Sequence, residues 1–93
     1  SSVVDIDFAR QNYSKKIELL ITSDKTNDET IGKLMNIMEP HKNGKCPLII
    51  KCISKQHIVP LSLDEQWHIN PTSVLINNLI KLLGSENIIV KYQ

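Results

Sequence analysis

The chain has 93 residues, 41% of them apolar, and its 11 basic and 10 acidic side chains leave a formal charge of +1. That length makes one domain with a small core. The balanced charge, with no basic run beyond Lys15-Lys16, excludes a nucleic-acid surface built on clustered cations. No apolar run reaches the ~18 residues of a membrane span, and no signal peptide is expected. Cys46 and Cys52 fit a reducing cytosol, so a cytoplasmic location is expected.

Residues 1–14 read as a lead-in segment or linker, with 15–93 as the domain. Val4, Ile6 and Phe8 alternate with Asp5 and Asp7, which allows a short strand. The abrupt start suggests a piece of a longer protein. Lys15 to Thr22 is the first strand, with Ile17, Leu19 and Ile21 on one face and Glu18, Leu20 and Thr22 on the other. A polar turn follows over Ser23–Asp28, and Thr26 and Glu29 have capping-box spacing. Ile31, Leu34, Met35 and Met38 form a helical stripe. Pro40 should end that helix by pushing Glu39 towards extended geometry, and Asn43-Gly44 makes a turn.

Pro47–Ser54 and Ile58–Leu63 are expected to form a hairpin across Lys55-Gln56. Lys51 faces water, which sends Leu48, Ile50 and Cys52 inward, opposite Val59, Leu61 and Leu63. Pro60 removes a ladder donor and favours an edge position for its strand. From Gln66 the chain reads as a short strand, a helix, a stop and a final strand. Asn70 is placed to cap that helix and Pro71 to open it. Leu75, Leu79, Leu82 and Leu83 give its apolar stripe, and Gly84 can end it in a left-handed conformation. Ile88, Val90 and Tyr92 then alternate.

This order predicts an α+β fold, βαββαβ, as a split βαβ arrangement: one mostly antiparallel sheet with two helices on one face. The other face would expose Leu20, Ile49, Ile53, Ile58 and Ile89 beside Glu18, Thr22, Lys51 and Lys91. Such a patch needs a cover. The lead-in strand is one candidate and a partner protein is the other. With Tyr92, those five apolar residues are the expected partner-contact set.

Candidate chemistry is sparse. Asp5 and Asp7 could share a Mg²⁺ ion from one strand face, but no third carboxylate or phosphate loop accompanies them. On a single strand Cys46 and Cys52 would stand ~20 Å apart, too far for one metal or a disulfide. His57 and His68 read as ordinary strand residues, and His41 and Lys42 as surface residues of a turn. Trp67 is expected under the last helix. No catalytic, cofactor or metal residue is therefore assigned, and the fragment is not expected to be an enzyme.

The series Met38-Glu39-Pro40-His41-Lys42-Asn43-Gly44, Pro47-Leu48, Leu61-Ser62-Leu63, Trp67-His68-Ile69-Asn70-Pro71 and Leu82-Leu83-Gly84-Ser85-Glu86 resembles the C-terminal domain of the bacterial DNA polymerase III alpha subunit. The match runs from about Lys15 to Gln93. The resemblance implies a bacterial replicase whose palm, PHP and OB domains lie upstream. It implies docking on the tau subunit of the clamp loader, within a full-length DNA-directed DNA polymerase. Some members end in a weak sliding-clamp motif. Here Asn87–Tyr92 lacks its leading Gln and its Leu-Phe ending. A nucleic-acid-binding βαββαβ domain is the alternative, but its first two strands lack the aromatics that stack bases.

Overall fold

The computed structural model describes residues 14–92. The readings on Val4, Ile6 and Phe8, the Asp5/Asp7 pair and the lead-in cover lie outside the described residues. In chain order the elements are β1 (Ser14–Thr22), α1 (Asp28–Met38), β2 (Lys42–Cys46), β3 (Leu48–Ile53), β4 (Ile58–Ser62), α2 (Ser73–Leu83) and β5 (Ile88–Tyr92).

Four strands form one mixed sheet in the order β4-β3-β1-β5. β1 runs parallel to β3, from Ile17 opposite Leu48 to Thr22 opposite Ile53. The pairs β1–β5 and β3–β4 are antiparallel. The expected single, mostly antiparallel sheet with two helices is therefore present. Its strand order differs from the split arrangement, because β1 and β3 are direct neighbours with nothing inserted between them. Pro60 supplies a reason. It pairs opposite Lys51 but has no N–H for a second neighbour, so β4 stays on the edge.

The helix-side face carries the core. Ile17, Leu19 and Ile21 of β1 and Leu48 and Ile50 of β3 are buried with Leu34 and Met38 of α1 and Leu75, Ile76, Leu79 and Leu83 of α2. Each fully buried leucine or isoleucine contributes roughly 1.5–3 kcal/mol relative to exposure. Ile88 and Val90 pack against the same cluster. Val59 and Leu61 share the inward parity, opposite Cys52 and Ile50, yet both are exposed. β4 is solvent-exposed along its whole length, so the inward reading holds only for Leu63, which is half-buried against the core.

The helix starts lie one or two residues later than the sequence predicts. Asn27, not Thr26, caps α1, its Oδ1 accepting from the Thr30 N–H at 2.8 Å. Thr72, not Asn70, caps α2, its Oγ1 accepting from the Leu75 N–H at 3.2 Å. Pro71 precedes that cap and is buried. Asn70 lies two residues before that cap, and its own N–H donates to the His41 carbonyl at 2.9 Å. Glu39 stays helical, at φ −52° and ψ −46°, and a 3₁₀ turn over Glu39–His41 carries the chain through Pro40. Gly84 ends α2 at φ 93°, as expected. Asn87 Nδ2 donates to the Leu83 carbonyl behind it at 2.6 Å.

Candidate protein-docking face

Both helices share the core with Ile17, Leu19 and Ile21, so the sheet's second face is the one that carries the even-numbered residues of β1. No described element packs on it. Registers arrange its side chains in rows. Lys91 stands beside Lys16. Ile89, Glu18, Ile49 and Ser62 form the next row. Leu20, Lys51 and Pro60 follow, then Thr22, Ile53 and Ile58. Of the six expected contact residues, Leu20, Ile49, Ile53, Ile58 and Ile89 therefore lie together. Leu20, Ile49, Ile53 and Ile89 are half-buried, and Ile58 is 62% exposed. Tyr92, 48% exposed, pairs with Ser14 at the end of the sheet, beyond a register irregularity between Ser14 and Lys16.

Glu18 stands in the middle of this face, only 5% exposed. Its Oε1 accepts from Lys51 Nζ at 3.2 Å and its Oε2 faces Lys16 Nζ at 3.4 Å. Burial by itself would raise the carboxyl pKa. The hydrogen bond and charge of Lys51, then those of Lys16, outweigh it and hold the group below the usual glutamate value. The sequence reading named Glu18 and Lys51 as flanking charges but missed the three-residue ion cluster. Its signal was available: Lys16 and Glu18 share a face at period two.

Behind the sheet, two separated segments clasp each other. The Gly44 N–H donates to the His68 carbonyl at 2.8 Å, parallel in effect to the Asn70–His41 bond. Ile69 bridges both Lys42 and Cys46 of β2. Asn43 takes φ 63° so that the chain can turn beside it. Gly44 is required by space. A Cβ there would run into the Ile69 carbonyl and the Asn70 nitrogen. Lys42 Nζ lies 5.1 Å from the centre of the Trp67 ring, a cation–π contact. His41 Nδ1 and Thr72 Oγ1 are 3.5 Å apart. Trp67 is half-buried against the core, in a 3₁₀ turn that contacts β2.

The thiols are free. They are not on one strand: Cys46 closes β2, Cys52 lies in β3, and Pro47 separates the strands. Burial pushes the Cys46 thiol up to about 11, which makes it a poor nucleophile or ligand. His57 closes the β3–β4 hairpin rather than sitting in a strand, accepting at its carbonyl from the Ser54 N–H. His68 follows the Trp67 turn outside any strand. Among the described residues no His, Cys, Asp and Glu group of three could hold a metal, and no helix is long and apolar enough to cross a membrane.

Among the described residues the architecture is that of an open-faced α+β sandwich, with helices on one side of a sheet and an aliphatic surface, centred on an ion cluster, on the other. Residues 33–84, more than half of the chain, match the family described as DNA polymerase III subunit alpha, C-terminal domain, and the chain belongs to that family. Both clasp segments fall inside the matched span. The chain is similar to DNA polymerase III subunit alpha of Escherichia coli K12, at 28% identity over 97% of this chain. The subunits of Buchnera aphidicola and Vibrio cholerae match at 25% and 22% identity, over 98% and 97% of this chain. In each case the chain spans about 8% of the relative's length. No solved structure matches it.

Proposed function

We propose that this chain is a protein-docking module of a bacterial replicative polymerase subunit, which holds the polymerase on the tau subunit of the clamp loader. The observation that carries the reading is the aliphatic sheet face. Leu20, Ile49, Ile53, Ile58 and Ile89 lie on it together, and no described element packs over them. A patch of this kind on a small domain marks an interaction surface. Family membership supplies the context of replication. DNA synthesis belongs, on this reading, to the parts of such subunits outside the 8% spanned here, and the module works in the cytoplasm.

Sliding-clamp contact forms no part of the proposal. Asn87 is committed to the end of α2, and Ile88–Lys91 pairs with β1. Nucleic-acid binding is not favoured either, since the face offers no aromatic ring on which a base could stack.

The test is a titration of the isotope-labelled chain with the tau C-terminal domain, followed by amide chemical shifts. The expected shifts fall on Leu20, Ile49, Ile53, Ile58 and Ile89. Shifts confined to α1 and α2, or no binding, would overturn the reading.

A further inference from the structure

We propose that the open face accepts a protein segment that is both apolar and acidic, with bulky side chains over Leu20, Ile53 and Ile58 and a carboxylate at Lys16 and Lys91. This rests on the docking reading above and gives the partner its chemistry.

The charges on the face do not balance. Lys16, Lys51 and Lys91 stand against one carboxylate, and both oxygens of Glu18 are already engaged by Lys51 and Lys16. Lys16 and Lys91 are direct cross-strand neighbours, an arrangement of like charges that is unfavourable in isolation. Lys91 is exposed and forms no ion pair among the described residues. The two cations lie at one end of the face. Lys16 lies six residue steps along β1 from the Thr22–Ile53–Ile58 row, roughly 20 Å at ~3.3 Å per residue. A wholly apolar partner long enough to cover both ends would desolvate the Lys91 ammonium, which no described carboxylate pairs. A carboxylate placed there pairs it, offsets its repulsion with Lys16 and fixes the partner's register.

Other occupants fit less well. A second copy would set lysine-rich faces against each other, each with the same cationic excess. A nucleic acid would meet three dispersed lysines, a carboxylate and no stacking ring.

Calorimetry of the chain with the tau C-terminal domain tests this, run between about 0.05 and 0.3 M salt, where screening changes most for exposed charges. Wild type should bind more weakly as salt rises. Lys91→Glu should weaken binding by about tenfold or more, while it relieves the Lys16 repulsion and so leaves the fold intact. Lys33→Glu makes the same charge change on the exposed side of α1 and should bind like wild type.

If wild type binds and Lys91→Glu binds equally well, the acidic complement is wrong and docking stands. If Lys33→Glu loses as much as Lys91→Glu, the effect is one of overall charge and the local contact is overturned. If wild type does not bind tau at all, the docking reading fails and this inference with it. Amide shifts at Ile89 and Lys91 on adding a single-stranded DNA oligonucleotide, or dimerisation through this face in sedimentation, would each replace the acidic segment with another occupant.

Discussion

Glu18 shows how one residue can be buried on a face that no described element covers. The lysines at 3.2 and 3.4 Å and the neighbouring strand residues shield it. Its depressed pKa gives a signed prediction. A carboxyl whose folded pKa lies below its unfolded value contributes stability above the unfolded value and loses it as pH falls through the folded one. The stability difference between wild type and Glu18→Gln should therefore hold steady near neutral pH. It should shrink below about pH 4.5, the ordinary glutamate value. Urea denaturation of both proteins across pH 3–7 checks this, and a difference that grows on acidification would contradict the ion cluster.

At the scale of elements, the clasp between Pro40–Gly44 and Trp67–Thr72 fixes the start of α2 against the end of α1. Gly44 is its tightest point. Gly44→Ala must push the Ile69 backbone away, and we expect a loss of at least ~2 kcal/mol, in the range of strained or overpacked sites. Gly32 is the opposite case. It sits in α1 with nothing within 4 Å of an added Cβ. Gly32→Ala should raise stability by about 0.5–1 kcal/mol through helix propensity. Denaturant midpoints of the two variants should move in opposite directions. An unchanged or raised midpoint for Gly44→Ala would mean that Gly44 is not under contact.

For the molecule as a whole, the decisive feature is that both helices lie on one side. Ile58 and Val74 are each 62% exposed, but on opposite layers, Ile58 on the open sheet face and Val74 on α2. Aspartate at either position should cost less than about 0.5 kcal/mol, as exposed substitutions usually do. Only Ile58→Asp should weaken binding to the tau C-terminal domain, by about tenfold or more for an apolar contact buried at an interface. Calorimetry with both variants separates the two faces. Equal effects would remove the sheet face from the interaction.

The periodicities alone were enough for the four strands of the sheet, the two helices, the α+β class and the glycine stop at Gly84, but not for β2, where a turn was expected, nor for the 3₁₀ turn at Glu65–Trp67, where a strand was. Those features follow from local spacing, and so did the composition of the open face once Ile17, Leu19 and Ile21 were turned inward. The cap positions, the 3₁₀ passage through Pro40 and the side-by-side pairing of β1 and β3 came only from the tertiary structure. The same holds for the meeting of Pro40–Gly44 and Trp67–Thr72 in one clasp. The strand pairing and the clasp depend on partners far away in sequence. The Asn70 N–H donates to the His41 carbonyl and the Gly44 N–H to the His68 carbonyl. Spacing can state which residues share a face, but long-range hydrogen bonds and close backbone approach decide which faces meet.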